Sequence, residues 1–175
     1  MAARIDYSKL TLMDALDLAR LIEVEAFQRY TDFAKRLGSR DPDDAGSVFQ
    51  SMAVNEKKHA DQLAERRLAL FADAPPRVTL DDIFDVEAPD FGATRWNMSQ
   101  LQAFQVALSS EKKAFAFYDA VLPRVKQADV KTLFKELRNE EAEHVAMIEA
   151  IIVKLPPSAA IELEDEDDDP GGSGV

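Results

Sequence analysis

The sequence predicts an all-α fold, an antiparallel four-helix bundle with a long crossover between its second and third helices. Two observations carry this. Four stretches of 23 to 30 residues have helix start and stop signals at their ends. The connections between them run short, long, short, so that each short connection joins antiparallel neighbours and the long one carries the chain across the bundle.

The first helix is expected over about residues 11–37, where Thr11-Leu-Met-Asp14 reads as a capping box with Asp in the Glu position and Gly38 as a stop. The second is expected over about 42–71. Asp41 is its cap, Pro42 suits the first helical position, and Asp43 and Asp44 favour the positive end of the helix dipole. The third covers about 100–122, with Ser99 and Gln102 as its capping box and Pro123 at its end. The fourth covers about 128–155 and is closed by Pro156-Pro157. Residues 72–98 hold Pro75, Pro76, Pro89 and Gly92, with a short helix expected over 80–84. They exceed an ordinary loop by far. The sequence therefore divides into a bundle, 1–155, and a proline- and acid-rich tail, 156–175, that has nothing to bury and is expected to be disordered.

Composition removes several classes of function. At 175 residues and 19.5 kDa the chain suits one domain. It has no cysteine, which excludes disulfide scaffolds, zinc ribbons, iron–sulfur centres and thiol nucleophiles. The net charge is −12, of which the tail carries −7 and residues 1–155 carry −5. Neither part offers the basic face a nucleic acid requires. No apolar run approaches the roughly 18–20 residues of a membrane span, and the N-terminus has an acid where a signal peptide would be apolar. The expectation is a cytoplasmic protein with no nucleic-acid or membrane partner.

The chemistry is concentrated in a repeat. The two histidines, His59 and His144, each follow a glutamate by three residues, in Glu56-Lys-Lys-His59 and Glu141-Ala-Glu-His144. Residues i and i+3 leave a helix on the same face, so each pair can chelate a metal ion. Glutamate is 14 of 175 residues, and both histidines acquiring it at −3 by chance is under one in a hundred. Upstream, Glu23 is followed seven residues later by Tyr30, and Glu111 by Tyr118. The chain thus reads as two copies of one unit, a helix with Glu and Tyr followed by a helix with Glu-x-x-His. Counting from the turns near 40 and 126, Glu23, Glu56, Glu111 and Glu141 each lie about 23–26 Å along their helices. Four carboxylates and two imidazoles are therefore expected to meet halfway along the bundle. Such a cluster repels itself and is costly to desolvate unless protons or cations neutralise it. Mixed oxygen and nitrogen ligation favours iron or manganese.

One Glu from each of two helices, with Glu-x-x-His from each of two others, resembles the ferritin-like di-iron and di-manganese carboxylate proteins. More narrowly, Glu23-x6-Tyr30-Thr-Asp-Phe-Ala34, the long crossover and the duplication resemble the erythrin domain of rubrerythrin, over about residues 10–155. The resemblance implies two iron ions, with manganese as the alternative. It assigns Glu23 and Glu111 as terminal carboxylates, Glu56 and Glu141 as the bridging pair, and His59 and His144 as one nitrogen ligand for each metal. Two departures stand out. Rubrerythrins carry a second Glu three residues after the third-helix ligand, where this chain has Ala114, which weighs against their peroxidase chemistry. Without cysteines there is no attached rubredoxin, so electrons come from a separate donor or from iron itself.

The expected activity is oxidation of Fe(II) by dioxygen or hydrogen peroxide. The alternatives are a peroxidase fed by an external donor, a non-enzymatic iron-binding or delivery protein and, more remotely, a manganese catalase-like site. Tyr30 and Tyr118 have three readings: holding ligand carboxylates by hydrogen bonds, relaying electrons, or packing. Phe27, Phe33, Phe49, Phe104, Phe115, Phe117 and Phe134 read as core, and Lys57, Lys58, Lys112 and Lys113 as water-facing. Glu25, Glu140 and Glu143 lie near ligands in sequence, and Glu25 and Glu143 point away from them, so that solvation or iron entry is expected rather than ligation. Trp96, Phe84 and Phe91 are expected to cover a bundle face or a second subunit, the chain forming a homodimer or higher homo-oligomer.

Overall fold

The computed structural model describes residues 5–38, 43–79 and 86–162. Four long helices form the bundle: α1 (Leu12–Leu37), α2 (Ala45–Phe71), α3 (Gln100–Val121) and α4 (Ala128–Lys154). No strand occurs among the described residues, and no helix there is long and apolar enough to cross a membrane. The pairs α1–α2 and α3–α4 pack most extensively, as short connections require.

Local chemistry sets the helix ends. The Thr11 hydroxyl accepts from the Asp14 amide at 3.3 Å and the Asp14 carboxylate accepts from the Thr11 amide at 3.1 Å. Ser99 and Gln102 repeat this reciprocal arrangement on α3. The second helix begins three residues later than its proline suggests. Asp44 is its cap, accepting from the Ser47 amide at 2.8 Å. Asp41 and Pro42 lie outside the described residues, as does the short helix expected at 80–84 with Phe84.

The end of α1 and the start of α2 approach closely enough to require glycine twice. Gly38 ends α1 at φ +68°, in the left-handed region. A Cβ on Gly46 would stand 1.9 Å from the Gly38 carbonyl oxygen, so the first turn of α2 rests directly on the end of α1. Gly46→Ala is expected to cost about 1–3 kcal/mol as the turn is forced open. A thermal melt reads this, and an unchanged midpoint would show that the turn has slack.

The apolar interior is split in two. One cluster includes Leu16, Ile22, Tyr118, Val121, Leu133 and Phe134. The other includes Ala26, Tyr30, Phe33, Phe49, Met52 and Ile148. Phe33, Phe49 and Phe134 are fully buried, whereas Phe27, Phe104, Phe115 and Phe117 are only partly so.

Cationic side chains hold the crossover against the bundle. Arg67 of α2 reaches the Ala72 and Ala74 carbonyls and pairs with Asp17 at 3.0 Å. Arg77 grips Asp14 at 2.8 and 2.9 Å. Arg29 of α1 donates to the Pro89 carbonyl, and Lys113 of α3 to the Ala88 carbonyl at 3.0 Å. Lys113 thus departs from its expected place in water: its stem is shielded and its ammonium ties down the crossover. Phe91 and Trp96 remain largely exposed, although the Arg29 guanidinium lies 3.2 Å over the Phe91 ring.

The segment after α4 does not start loose at Pro156. Pro157–Ala160 forms a 3-10 turn with Ala159 buried. Glu162 then accepts from Gln102 at 2.6 Å, Arg95 at 2.9 Å and Asn97 at 3.0 Å. Composition missed this because three polar groups of the bundle side supply what the tail lacks. Residues 163–175 lie outside those described.

Candidate metal centre

Between the two apolar clusters all six predicted side chains come together. Glu23, Glu56 and His59 form one triplet, and Glu111, Glu141 and His144 a second; within each, one potential ligand atom per residue lies within 4.8 Å of the others. His59 Nδ1 stands 3.6 Å from Glu23 and 3.7 Å from Glu56. His144 Nδ1 stands 3.1 Å from Glu111 and 3.5 Å from Glu141. The imidazole rings stack with centroids 4.8 Å apart and planes within 4° of parallel. Each sequence repeat therefore supplies one triplet, and the triplets face each other.

The site has a dry side and a wetter one. The four carboxylates are buried, whereas the histidine side chains remain about a quarter exposed, at 25% and 23%. Glu140 and Glu143 face solvent. Glu25 does not: it is largely shielded and lies 3.6 Å from the buried Arg29.

One member of the cluster was not foreseen. Glu87, in the crossover, is buried and stands with Glu23 and Glu141 in one group and with Glu56 and Glu111 in another. Periodicity could not reveal it, because the crossover has none. The available signal was weak: a single acid between Val86 and Ala88-Pro89, in a stretch otherwise turned inward.

Burial and mutual repulsion dominate the electrostatics. Burial, then the charge of Glu141, raises Glu23 from 4.5 to about 8. Burial raises Glu56 to about 8, although the neighbouring His59 opposes the shift. Burial raises Glu141 to about 7 against the pull of His144. Burial and the surrounding carboxylates push Glu87 well above its ordinary value. Burial disfavours the charged form of His144, but its hydrogen bond to Glu111 and the nearby carboxylate of Glu141 prevail and lift it from 6.5 to about 11.

These shifts fix the sign of a pH dependence. A carboxyl raised from 4.5 to about 8 binds more protons folded than unfolded between those values, so stability falls as pH rises through that window. His144 acts in the same direction between 6.5 and about 11. The chelator-treated protein is expected to melt at progressively lower temperature from pH 5 to pH 9. A midpoint rising across that range would contradict the description.

Tyr30 and Tyr118 close the cluster at its two ends, one in each apolar cluster. Burial and then carboxylate charge raise both phenols well above 10, through Glu111 and Glu56 for Tyr30 and through Glu23 and Glu141 for Tyr118. Neither hydroxyl makes a hydrogen bond among the described residues.

The donor set suits metal ions. Glu23 Oε2, Glu87 Oε2, Glu111 Oε1 and Glu141 Oε2 are buried acceptors with no donor among the described residues. Buried carboxylate oxygens without donors call for neutralisation, by the protons that the raised carboxyls hold or by cations, which satisfy several at once. Oxygen-rich ligation with one imidazole per triplet fits first-row divalent ions.

Comparison with known proteins bears on the fold that carries this cluster. A conserved protein from Magnetospirillum magnetotacticum, described as uncharacterised, superposes with a TM-score of 0.64 at 27% identity, over 84% of this chain and 97% of its own. A bacterioferritin from Rhodobacter capsulatus, described with a metal-free dinuclear site and a haem iron, shares the fold with a TM-score of 0.56 at 18% identity, over 88% of this chain and 94% of its own. No curated protein sequence gives a significant match. Residues 14–157 match the family model described as the ferritin-like domain, and the chain belongs to that family.

Proposed function

We propose that this protein is a non-haem diiron oxidoreductase that oxidises Fe(II) with dioxygen or hydrogen peroxide. The observation that carries this reading is the pair of facing Glu–Glu–His triplets, buried halfway along the bundle with carboxylate oxygens that no donor among the described residues serves. Glu23, Glu56 and His59 would hold one ion, and Glu111, Glu141 and His144 the other. When bound, two iron ions supply two electrons to a single oxidant.

The chain's own residues do the rest. The apolar clusters on either side, capped by Tyr30 and Tyr118, keep bulk water from the carboxylates. The half-buried imidazoles form the side nearest solvent, where an incoming cation meets the cluster. His144 and the raised carboxyls hold protons that loading must displace, so cation uptake releases acid. We assign Tyr30 and Tyr118 to orienting the ligand carboxylates once cations draw these into place. Within the family, the duplicated Glu–Tyr and Glu-x-x-His unit favours an erythrin type, with the acidic tail as an extension of one working bundle. Self-association belongs to the same reading, because Leu68, Leu70, Trp96 and Val153 stay exposed in a single chain.

Aerobic addition of Fe(II) tests the proposal. Ferric absorbance rising together with oxidant consumption supports it. Tight binding with no oxidant consumed would make the protein an iron carrier instead. Steady peroxide turnover only with a reduced electron-transfer protein would make it a peroxidase.

A further inference from the structure

Among the described residues, Glu87 is the one member of the carboxylate cluster that the helical repeat does not explain. It reaches the cluster from the crossover, a segment whose usual duty is to connect. Its placement is built. Ala88 and Pro89, the next two residues, are buried, and their carbonyls are taken by Lys113 from α3 and Arg29 from α1. Two cations on different helices thus fix the backbone immediately after Glu87 and direct its side chain inward.

Its position within the cluster is specific. Glu87 does not join either triplet. It groups once with Glu23 and Glu141, and once with Glu56 and Glu111, so that each time it meets one carboxylate from each triplet, with ligand atoms within 4.8 Å. This is the seam between the two sites. Oε2 of Glu87 is buried and has no donor among the described residues. A buried carboxyl grouped with four others, with an oxygen that no donor among the described residues serves, needs a proton or a cation there, and a cation would serve several of the five at once.

Resting on the diiron reading above, we infer that Glu87 is a seventh metal ligand, a fifth carboxylate delivered by the crossover to the seam between the two ions, with Arg29 and Lys113 as its positioning residues. The charge count follows. Four carboxylates neutralise two divalent ions; a fifth leaves the centre at −1 with two divalent ions and at +1 with two trivalent ones. The fifth carboxylate thus favours retention of the more highly charged pair.

The test uses the full-length chain, stripped with chelator and titrated with Co(II) alone under argon. Wild type is expected to take two ions per chain. Glu87→Gln keeps the shape of the side chain and is expected to weaken at least one of the two by about tenfold or more, while the metal-free variant melts no lower than wild type because a repelling carboxyl has gone. Both ions binding to Glu87→Gln with less than a tenfold loss would overturn the inference and leave the diiron reading intact. Wild type taking no Co(II) would overturn both. Should the variant fail to fold, a metal-loaded crystal structure of the unaltered chain decides. A Glu87 oxygen at about 2.0–2.2 Å from an ion supports the inference, and a Glu87 that only hydrogen-bonds to its neighbours overturns it.

Discussion

Replacing Glu56 and Glu141 together by alanine is expected to lower the rate of Fe(II) oxidation by about 100-fold or more. Groups that merely orient a metal ligand are worth about 10–100-fold, and these two carboxylates come from the two helices that also carry the histidines. Both are buried, with Glu141 Oε2 lacking a donor among the described residues. Their loss would leave each imidazole with one carboxylate partner, Glu23 or Glu111. The measurement is ferric absorbance after aerobic mixing, paired with a circular dichroism melt. The pairing matters because the variant should remain folded: it removes two repelling acids from the interior and leaves small cavities. A variant that folds and oxidises iron at the wild-type rate would remove the basis for the proposed function.

Loading with divalent metal is expected to raise the melting temperature by about 10–20 °C. A ligand present at 100 times its dissociation constant stabilises the folded state by about 2.7 kcal/mol per site, so two sites give about 5 kcal/mol. A chain of this size gains about 2–4 °C per kcal/mol. The effect should shrink as pH falls toward 5, where protons compete for Glu23, Glu56 and Glu141. It should also shrink in the double alanine variant. Differential scanning calorimetry with and without chelator reads all of this, and an identical midpoint in the two conditions would show that the cluster is structural.

The parts of the molecule that repeat were legible in the sequence. Four helices follow from their caps, and the convergence of Glu23, Glu56, His59, Glu111, Glu141 and His144 follows from rise per residue alone. What escaped was set by long-range packing. Glu87 sits in an aperiodic segment, and its direction depends on Arg29 and Lys113, 58 positions before it and 26 after it. Lys113 reads from the sequence as a water-facing residue, yet a carbonyl of the crossover claims it. The start of α2 slipped to Asp44 because several acids in a row offer competing caps and only the fit of Gly46 against Gly38 selects among them. Glu162 shows the same limit, since its partners Arg95, Asn97 and Gln102 belong to a different part of the chain.

The division of the bundle into two near-equivalent hairpins bears on how the chain can fold. Each hairpin joins its helices through a few residues, so its contacts are local and quick to form. Within one hairpin only half of the acidic group is assembled, still open to water on its inner face. The full repulsion arises only when the hairpins dock and solvent leaves. Secondary structure and hairpin pairing can therefore be completed before the unfavourable charge is confined, and on the proposed diiron reading cations would offset that charge at the docking step.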